Sequence, residues 1–300
     1  MKHITVLLDE AIEALKIDPN GIYVDGTLGG AGHASLILEN LTEGFLYAFD
    51  QDSFAINYAK ERLSNHHNFK IIHDNFRNLR ARLLEENILA VDGILLDLGL
   101  SSFQIDDEKR GFTYLKNTTL DMRMNDQQTL TAEHLLNTSS IEELARIFYL
   151  YGEEKNSFKI ARAIIDQRPL RSTKDLVDIT DRINYKDKGH SAKRVFQALR
   201  IAVNDELGAL EQVLKEGASL LKPGGRFVII TFHSLEDRIV KHYFKELSTV
   251  DLPKNLPIQH IPPADFELVS TKPWYPSEKE IKENSRSKSA KMRILQRRNI

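Results

Sequence analysis

The run Gly21-Ile22-Tyr23-Val24-Asp25-Gly26-Thr27-Leu28-Gly29-Gly30-Ala31-Gly32-His33 leaves little freedom in how this chain can begin to fold. Ile22 to Val24 is a short β-branched and aromatic segment that ends on an acid. Four glycines then fall between Gly26 and Gly32, and Ala34-Ser35-Leu36-Ile37-Leu38 reads as a helix. The order is strand, glycine loop, helix. Glycine accepts positive φ and carries no Cβ, so a ligand can lie against the main chain and the helix N-terminus. Seventeen residues beyond His33 the strand Phe45-Leu46-Tyr47-Ala48-Phe49 ends in Asp50. That is close to the ~20-residue spacing at which an acid on the next strand reaches a ribose hydroxyl. An adenosine-containing ligand is the default reading.

Gly26, Gly29, Gly30 and Gly32 do not follow the G-x-G-x-x-G order of a dinucleotide site. S-adenosylmethionine has no pyrophosphate, and an acid at the end of the first strand, here Asp25, suits its ammonium and sulfonium charges but would repel a pyrophosphate. The loop therefore favours S-adenosylmethionine, with Asp25, Gly29 and Asp50 as binding candidates. A nucleotide cofactor, or a tight turn with no ligand, remains an alternative.

Along the chain, Val6 to Leu15 is an amphipathic helix ahead of the first strand, and Asp52 to Leu63 is a helix after the second. Phe69 to His73 is the third strand, Leu79 to Glu86 the next helix, and Gly93 to Asp97 the fourth strand. Three βα units in a row predict a parallel, doubly wound sheet with ligands at the carboxyl ends of its strands. Asp25, Asp50, Asp74-Asn75-Phe76 and Asp97 then share one rim. After Asp97 the alternation stops: Leu98 to Met124 reads as loop, and helices follow. Ser140 with Glu143 makes a capping box. A helix over Lys155 to Gln167 places Lys155, Lys159 and Arg162 in a basic stripe, and further helices lie over Lys174 to Ile183 and from Ser191 onward. Alternation resumes with helix Leu207 to Leu221, a turn Lys222-Pro223-Gly224-Gly225 and a fifth strand Arg226 to Phe232. Then come helix Leu235 to Leu247, a four-proline loop Pro253 to Pro263, and strands Phe266 to Ser270 and Ala290 to Gln296 as antiparallel partners. The expected organisation is an α/β core over 1–104 and 201–300 with an inserted all-helical subdomain over 105–200, and the closing antiparallel pair makes the whole resemble a class I methyltransferase core with a substrate-recognition insert.

The 300 residues contain no cysteine, which excludes disulfides, thiolate metal sites and a cysteine nucleophile. No apolar run approaches the ~18 residues of a membrane span, and no signal pattern opens the chain, so a soluble, cytoplasmic protein is expected. The net charge of −2 hides segregation. Lys155 to Arg200 carries twelve Lys/Arg against five Asp/Glu, and Asn284 to Ile300 carries six against none. Charge arranged this way suggests a polyanionic partner, although solvated helical faces would give the same count.

Six motifs resemble the bacterial ribosomal RNA small-subunit methyltransferase H family: Asp25 to His33, Leu95 to Gln104, Arg110-Gly111-Phe112, Leu120-Asp121-Met122-Arg123-Met124, Phe196 to Ile201, and Phe232-His233-Ser234-Leu235-Glu236-Asp237-Arg238. The resemblance runs nearly end to end, with Ala34, Ser191, Ser285 and Lys288 as mild departures. It implies a class I, Rossmann-like α/β fold with seven strands, and methyl transfer from S-adenosylmethionine to the exocyclic N4 of a cytidine in the decoding region of 16S ribosomal RNA. It implies cofactor contacts at Ala31, Gly32, His33, Asp50, Phe76, Asp97 and Gln104. The loop, Asp50 and Asp97 follow from the residues as well, whereas His33, Phe76 and Gln104 rest on the resemblance.

An exocyclic amine is a weak nucleophile, so in-line alignment with the methyl group and acceptors aimed at its N–H groups are the expected catalytic devices. Many amino-methylating enzymes carry (Asp/Asn)-Pro-Pro-aromatic at the end of the fourth strand; Asp97-Leu98-Gly99-Leu100-Ser101-Ser102 stands there instead. Asp97 or the adjacent backbone is the expected acceptor, Ser101 and His233 are further catalytic candidates, and Phe112 or Tyr114 would stack on the base. A serine-hydrolase reading of His233, Ser234 and Asp237 lacks Gly-x-Ser-x-Gly; Ser234 could instead cap the following helix. His66-His67 has too few companions for zinc, and no metal is expected. The substrate candidates are Lys155, Lys159, Arg162, Lys193, Arg194, Arg200 and Arg123, the last also able to form a salt-bridged loop with Asp121. The expected partner is 16S ribosomal RNA or the small subunit, bound by a monomer or homodimer with no membrane involved. A non-catalytic RNA-binding assembly factor and a small-molecule methyltransferase are the rival readings.

Overall fold

The computed structural model describes residues 4–250 and 263–299, so most of the proline loop Pro253 to Pro263 lies outside the described residues. Seven strands form one sheet: β1 (Ile22–Asp25), β2 (Phe45–Asp50), β3 (Phe69–His73), β4 (Val91–Asp97), β5 (Leu221–Thr231), β6 (Phe266–Leu268) and β7 (Lys291–Arg297). Their order is β3-β2-β1-β4-β5-β7-β6. β1 to β5 run parallel, and β7 is antiparallel to both β5 and β6. The fold is therefore the seven-stranded α/β class that the sequence implies.

Apolar residues on successive positions bury both faces of the sheet, as a parallel sheet flanked by helices requires. One core joins Leu46, Ala48, Leu95, Val228 and Ile230 to Ala11, Leu15, Ile37 and Leu38 of helices Leu8–Leu15 and Gly32–Glu39. The other joins Val24, Tyr47, Phe49, Ile94, Leu96, Phe227 and Ile229 to Leu79, Leu83, Val213, Leu214, Val240 and Phe244. The expected turn Lys222 to Gly225 is absorbed into β5 as a bulge. Val91 pairs with Leu221 but Gly93 pairs with Arg226, and Gly224 takes the left-handed φ of 81° that the detour needs.

Chain order reverses across β1 and β4. The chain proceeds outward through β2 and β3, then returns to the other side of β1, so the connections after β1 and β4 diverge and leave a crevice at the carboxyl ends. Asp25 and Asp97 end those two strands.

The chain divides into two compact units, 1–99 with 209–300, and 100–208. The second boundary falls inside helix Glu206–Leu220, so the helical unit is wider than the stretch 105–200 read from the sequence. Its core gathers Leu144, Phe148, Ile160, Ile164, Leu176, Ile179, Phe196 and Leu199. The capping box of Ser140 and Glu143 forms. The basic stripe sits differently from expectation: the helix spans Ser157–Asp166, and Lys155 stands in the turn before it. Leu98 to Met124 is not wholly loop, since Ser102–Asp106 is a short helix and Glu108–Arg110 a 3-10 turn. Asn204 holds this connection, accepting from Met124 N at 2.7 Å and donating to Met122 O at 2.8 Å.

Candidate functional site

At the crevice the glycine loop and the strand ends interlock. Asp25 is 1% exposed. Its Oδ1 accepts from Thr27 N at 3.0 Å, and its Oδ2 is buried with no hydrogen-bond partner. Thr27 Oγ1 in turn accepts from Asp97 N at 2.6 Å, so one threonine joins the ends of β1 and β4. Asp97 Oδ1 is likewise buried and unpartnered, while its Oδ2 lies 3.8 Å from His33 Nδ1. His33 is buried, with Nε2 3.2 Å from Val6 O.

These acids titrate abnormally. Burial, reinforced by the charge of Asp50, pushes the Asp25 carboxyl up to about 7. Burial also pushes Asp50 up to about 6, against the opposing pull of backbone N–H donors. Asp97 is raised well above the ordinary carboxylate range by burial and then by Asp25, Glu236 and Glu280. Burial without a counter-charge disfavours ionisation, and a cation entering here would relieve the strain of several carboxylates at once.

Asp50 also shapes the loop. Its Oδ2 accepts from Gly29 N at 2.8 Å and its Oδ1 from Asp52 N at 2.9 Å. Gly29 and Ala31 both take left-handed φ, 46° and 56°, and Ala31 is the residue before helix Gly32–Glu39. Gly32 admits no side chain, because a Cβ there would stand 1.8 Å from Thr5 Oγ1. The segment bearing Thr5 is itself tied down: Asn284 Nδ2 donates to Ile4 O at 3.1 Å, and Leu7 N donates to Glu280 Oε1 at 2.9 Å. Phe76 lies against the loop, its Cβ 3.3 Å from where a Cβ on Gly26 would be. Asp74, also on the rim in the sequence reading, is otherwise engaged. Burial would raise its carboxyl, but bonds from Arg82 at 2.6 Å, Asn78 and Asn75 N outweigh that and hold it low.

β5 delivers His233 and Glu236. The first residue of helix Ser234–Leu247 is Ser234 itself and His233 is its N-cap, so the cap anticipated from Ser234 is not made in that position. Glu236, buried, reaches back to accept from Phe232 N at 2.8 Å, and its Oε1 lies 3.0 Å from His233 Nε2. Asp237 belongs to the scaffold, pairing with Arg293 at 2.7 Å and Lys291 at 3.0 Å. The basic terminal stretch thereby proves largely committed to the sheet: Arg298 pairs with Glu267 at 2.7 Å and Arg297 donates to Leu221 O at 2.6 Å.

In the helical unit, Ser101 and Gln104 cap one another. Ser101 Oγ accepts from Gln104 N at 3.3 Å, and Gln104 Oε1 accepts from Ser101 N at 3.0 Å. Three of the arginines read as substrate contacts are held internally. Arg123 grips Asp121 through two nitrogens at 2.9 and 2.7 Å. Arg194 pairs with buried Glu154 at 2.8 Å and with Asp187. Arg200 meets Glu206 at 2.8 and 2.9 Å. Lys155, Lys159, Arg162 and Lys193 are exposed. Phe112 is buried beneath Arg110, 5.8 Å from ring to guanidinium. Tyr114 packs on His190 and Phe196 at centroid distances of 4.3 and 5.5 Å, so both proposed stacking rings are occupied within the unit.

Sequence reasoning missed Thr27, Glu236, Glu280 and Glu154. The three-residue step from His233 to Glu236 was a legible capping signal; Glu280 lies more than 270 residues from its partner Leu7 and gave none.

The MraW methylase family matches residues 1–298. "Ribosomal RNA small subunit methyltransferase H 1" of Acholeplasma laidlawii is 56% identical over 297 residues, covering 99% of each chain. "Ribosomal RNA small subunit methyltransferase H" of Onion yellows phytoplasma is 54% identical over 292 residues, 97% of this chain and 96% of that one. The protein of the same name from Streptococcus mutans is 49% identical over 308 aligned positions, 98% and 97% of the two chains. With a loop and rim built as described and a match along its whole length, the chain belongs to the MraW methylase family.

Proposed function

We propose that this enzyme transfers a methyl group from S-adenosylmethionine to the exocyclic N4 of a cytidine in 16S ribosomal RNA, acting in the cytoplasm where small subunits are assembled. The substrate follows the names carried by relatives at 49–56% identity over nearly the full chain. The cofactor reading rests on one observation, the buried unpartnered oxygens Asp25 Oδ2 and Asp97 Oδ1 beside a glycine loop. Two desolvated carboxylate oxygens without donors fit a ligand that carries both an ammonium and a sulfonium.

S-adenosylmethionine supplies an already activated methyl group. Asp25 and Asp97 would hold its cationic end, Asp50 its ribose through lone pairs left over from Gly29 and Asp52, and Phe76 its adenine ring. Main chain at Gly29, Ala31 and Gly32 offers close approach, His33 supports Asp97, and Gln104 is assigned by its motif. The chain's remaining work is alignment of the amine and removal of a proton from it. Asp97 would accept from the amine and favour its pyramidal form. His233, whose Nε2 lies 3.0 Å from Glu236 Oε1, would take up the proton released and as an imidazolium would pair with that carboxylate, while Ser101 positions the start of its helix. Lys155, Lys159, Arg162 and Lys193 would contact phosphates.

The experiment is incubation of small subunits, free 16S RNA and a metabolite panel with methyl-labelled cofactor, followed by nucleoside analysis. Label in N4-methylcytidine supports the reading. Label confined to a small molecule, or absent cofactor binding by calorimetry, overturns it in favour of one rival or the other.

A further inference from the structure

Glu154 is fully buried and fastens together two surface segments of the helical unit that lie 30 residues apart. Its Oε1 accepts from Asn156 N at 2.8 Å and its Oε2 from Asn184 Nδ2 at 3.1 Å. Asn156 Nδ2 also donates to Asn184 Oδ1 at 2.9 Å. Each asparagine is followed closely by an outward aromatic, Phe158 at 55% exposure and Tyr185 at 73%. Exposed cations flank both rings. Lys155, Lys159 and Arg162 lie within four residues of Phe158, and Arg162, one turn further on, shares its helix face. Lys186 Nζ stands 5.4 Å from the Tyr185 ring centre, with Lys188 beyond it. The one acid between those lysines, Asp187, is bonded to Arg194.

Two exposed rings, carried by segments that Glu154 and the two asparagines tie together and accompanied by cations, suit a polyanion that itself carries flat apolar faces. A wholly acidic polypeptide would use the cations and leave the rings idle. A lipid surface would favour a continuous apolar stripe, and here cations interrupt it. Single-stranded RNA uses both, because every base has a π-face and every link a phosphate. Resting on the ribosomal RNA reading above, we infer that Phe158 and Tyr185 form a stacking platform for two unpaired bases of the RNA substrate, with Lys155, Lys159, Arg162, Lys186 and Lys188 on the adjoining phosphates. The platform selects unpaired RNA by its bases, independently of the crevice that performs the chemistry.

The test compares the full-length protein with a Phe158→Ala/Tyr185→Ala variant of unchanged thermal melting. The ligands are a fluorescent single-stranded oligoribonucleotide and an abasic chain of the same phosphate count. The unaltered protein should prefer the base-bearing chain by roughly tenfold or more per stacked base. The double variant should bind both chains alike with an unchanged salt slope, and a Phe158→Trp/Tyr185→Trp variant should restore the preference. A double variant that keeps the preference overturns the platform. So does displacement of the RNA by polyglutamate or anionic phospholipid vesicles as readily as by competitor RNA. Either result leaves the ribosomal RNA reading intact if the unaltered protein still labels small subunits; failure of that labelling overturns the reading and the platform together.

Discussion

Glu154 in the helical unit and Asp25 and Asp97 at the rim of the sheet all place carboxylate oxygens out of reach of water, in opposite circumstances. Glu154 receives Arg194, Asn156 N and Asn184. Asp25 and Asp97 each keep an oxygen with no donor. Leaving a buried charge unsatisfied is among the most expensive things a fold can do, and among the described residues the carboxylate oxygens left in that state are those of Asp25 and Asp97. A satisfied buried acid builds structure; the unsatisfied pair is what the cationic cofactor proposed above would neutralise.

That contrast can be broken most sharply by exchanging the two kinds of acid for their amides. Asp97→Asn should lower S-adenosylhomocysteine affinity and single-turnover rate together by roughly 10²-fold or more, the scale of a lost charge-assisted contact in a dry site. Its unliganded melting temperature should hold or rise, because the amide keeps the shape of the neutral carboxyl that burial favours and cannot ionise there. A variant with near-normal turnover would end the case for Asp97. Glu154→Gln should do the reverse, costing about 3 kcal/mol of stability, towards the low end for a broken buried pair because Arg194 can turn to water. Cofactor affinity at saturating stability should be unaltered, and chemical denaturation with calorimetry distinguishes the two outcomes.

The pH dependence sharpens the same comparison. Asp25 and Asp50 are raised to about 7 and about 6 from 3.8, and Asp97 is raised further. Groups whose carboxyls bind protons more tightly folded than unfolded stabilise the fold below about pH 4 and lose that contribution as pH climbs through their folded values. The unliganded protein should therefore lose stability from this cluster between about pH 4 and 7. A cationic ligand favours the ionised acids, so affinity should climb over the same range and binding should release protons. Heats of binding measured in buffers of different ionisation enthalpy detect that release; heats independent of buffer would contradict it. Smaller again, replacing Lys155, Lys159 and Arg162 with Gln should flatten the slope of log affinity against log salt by about 2, at ~0.7 per phosphate. Arg293→Gln should leave that slope alone and cost about 1 kcal/mol of stability, since its charge is spent on Asp237.

What could be read from the residues was whatever local order expresses. The strand ends Asp25, Asp50 and Asp97 were legible because each closes an apolar run, and the βα alternation dictates which ends meet. Charge counts were less informative, because they tally ions and not partners. Arg194 and Arg200 contribute to the basic balance yet are paired with Glu154 and Glu206. The terminal stretch is basic yet seven of its seventeen residues form β7. Phe158 and Tyr185 were invisible because exposure of an aromatic depends on which helix face the core claims.

Gly32 lies flush against Thr5, and Asn284 and Glu280 hold the segment that carries Thr5. During synthesis the first residues of the chain leave the ribosome long before residue 284 is polymerised. The nascent protein therefore lacks this brace on its glycine loop until translation is almost over, and chains held at a length that exposes β1 to β5 but not Glu280 and Asn284 should fail to retain S-adenosylhomocysteine.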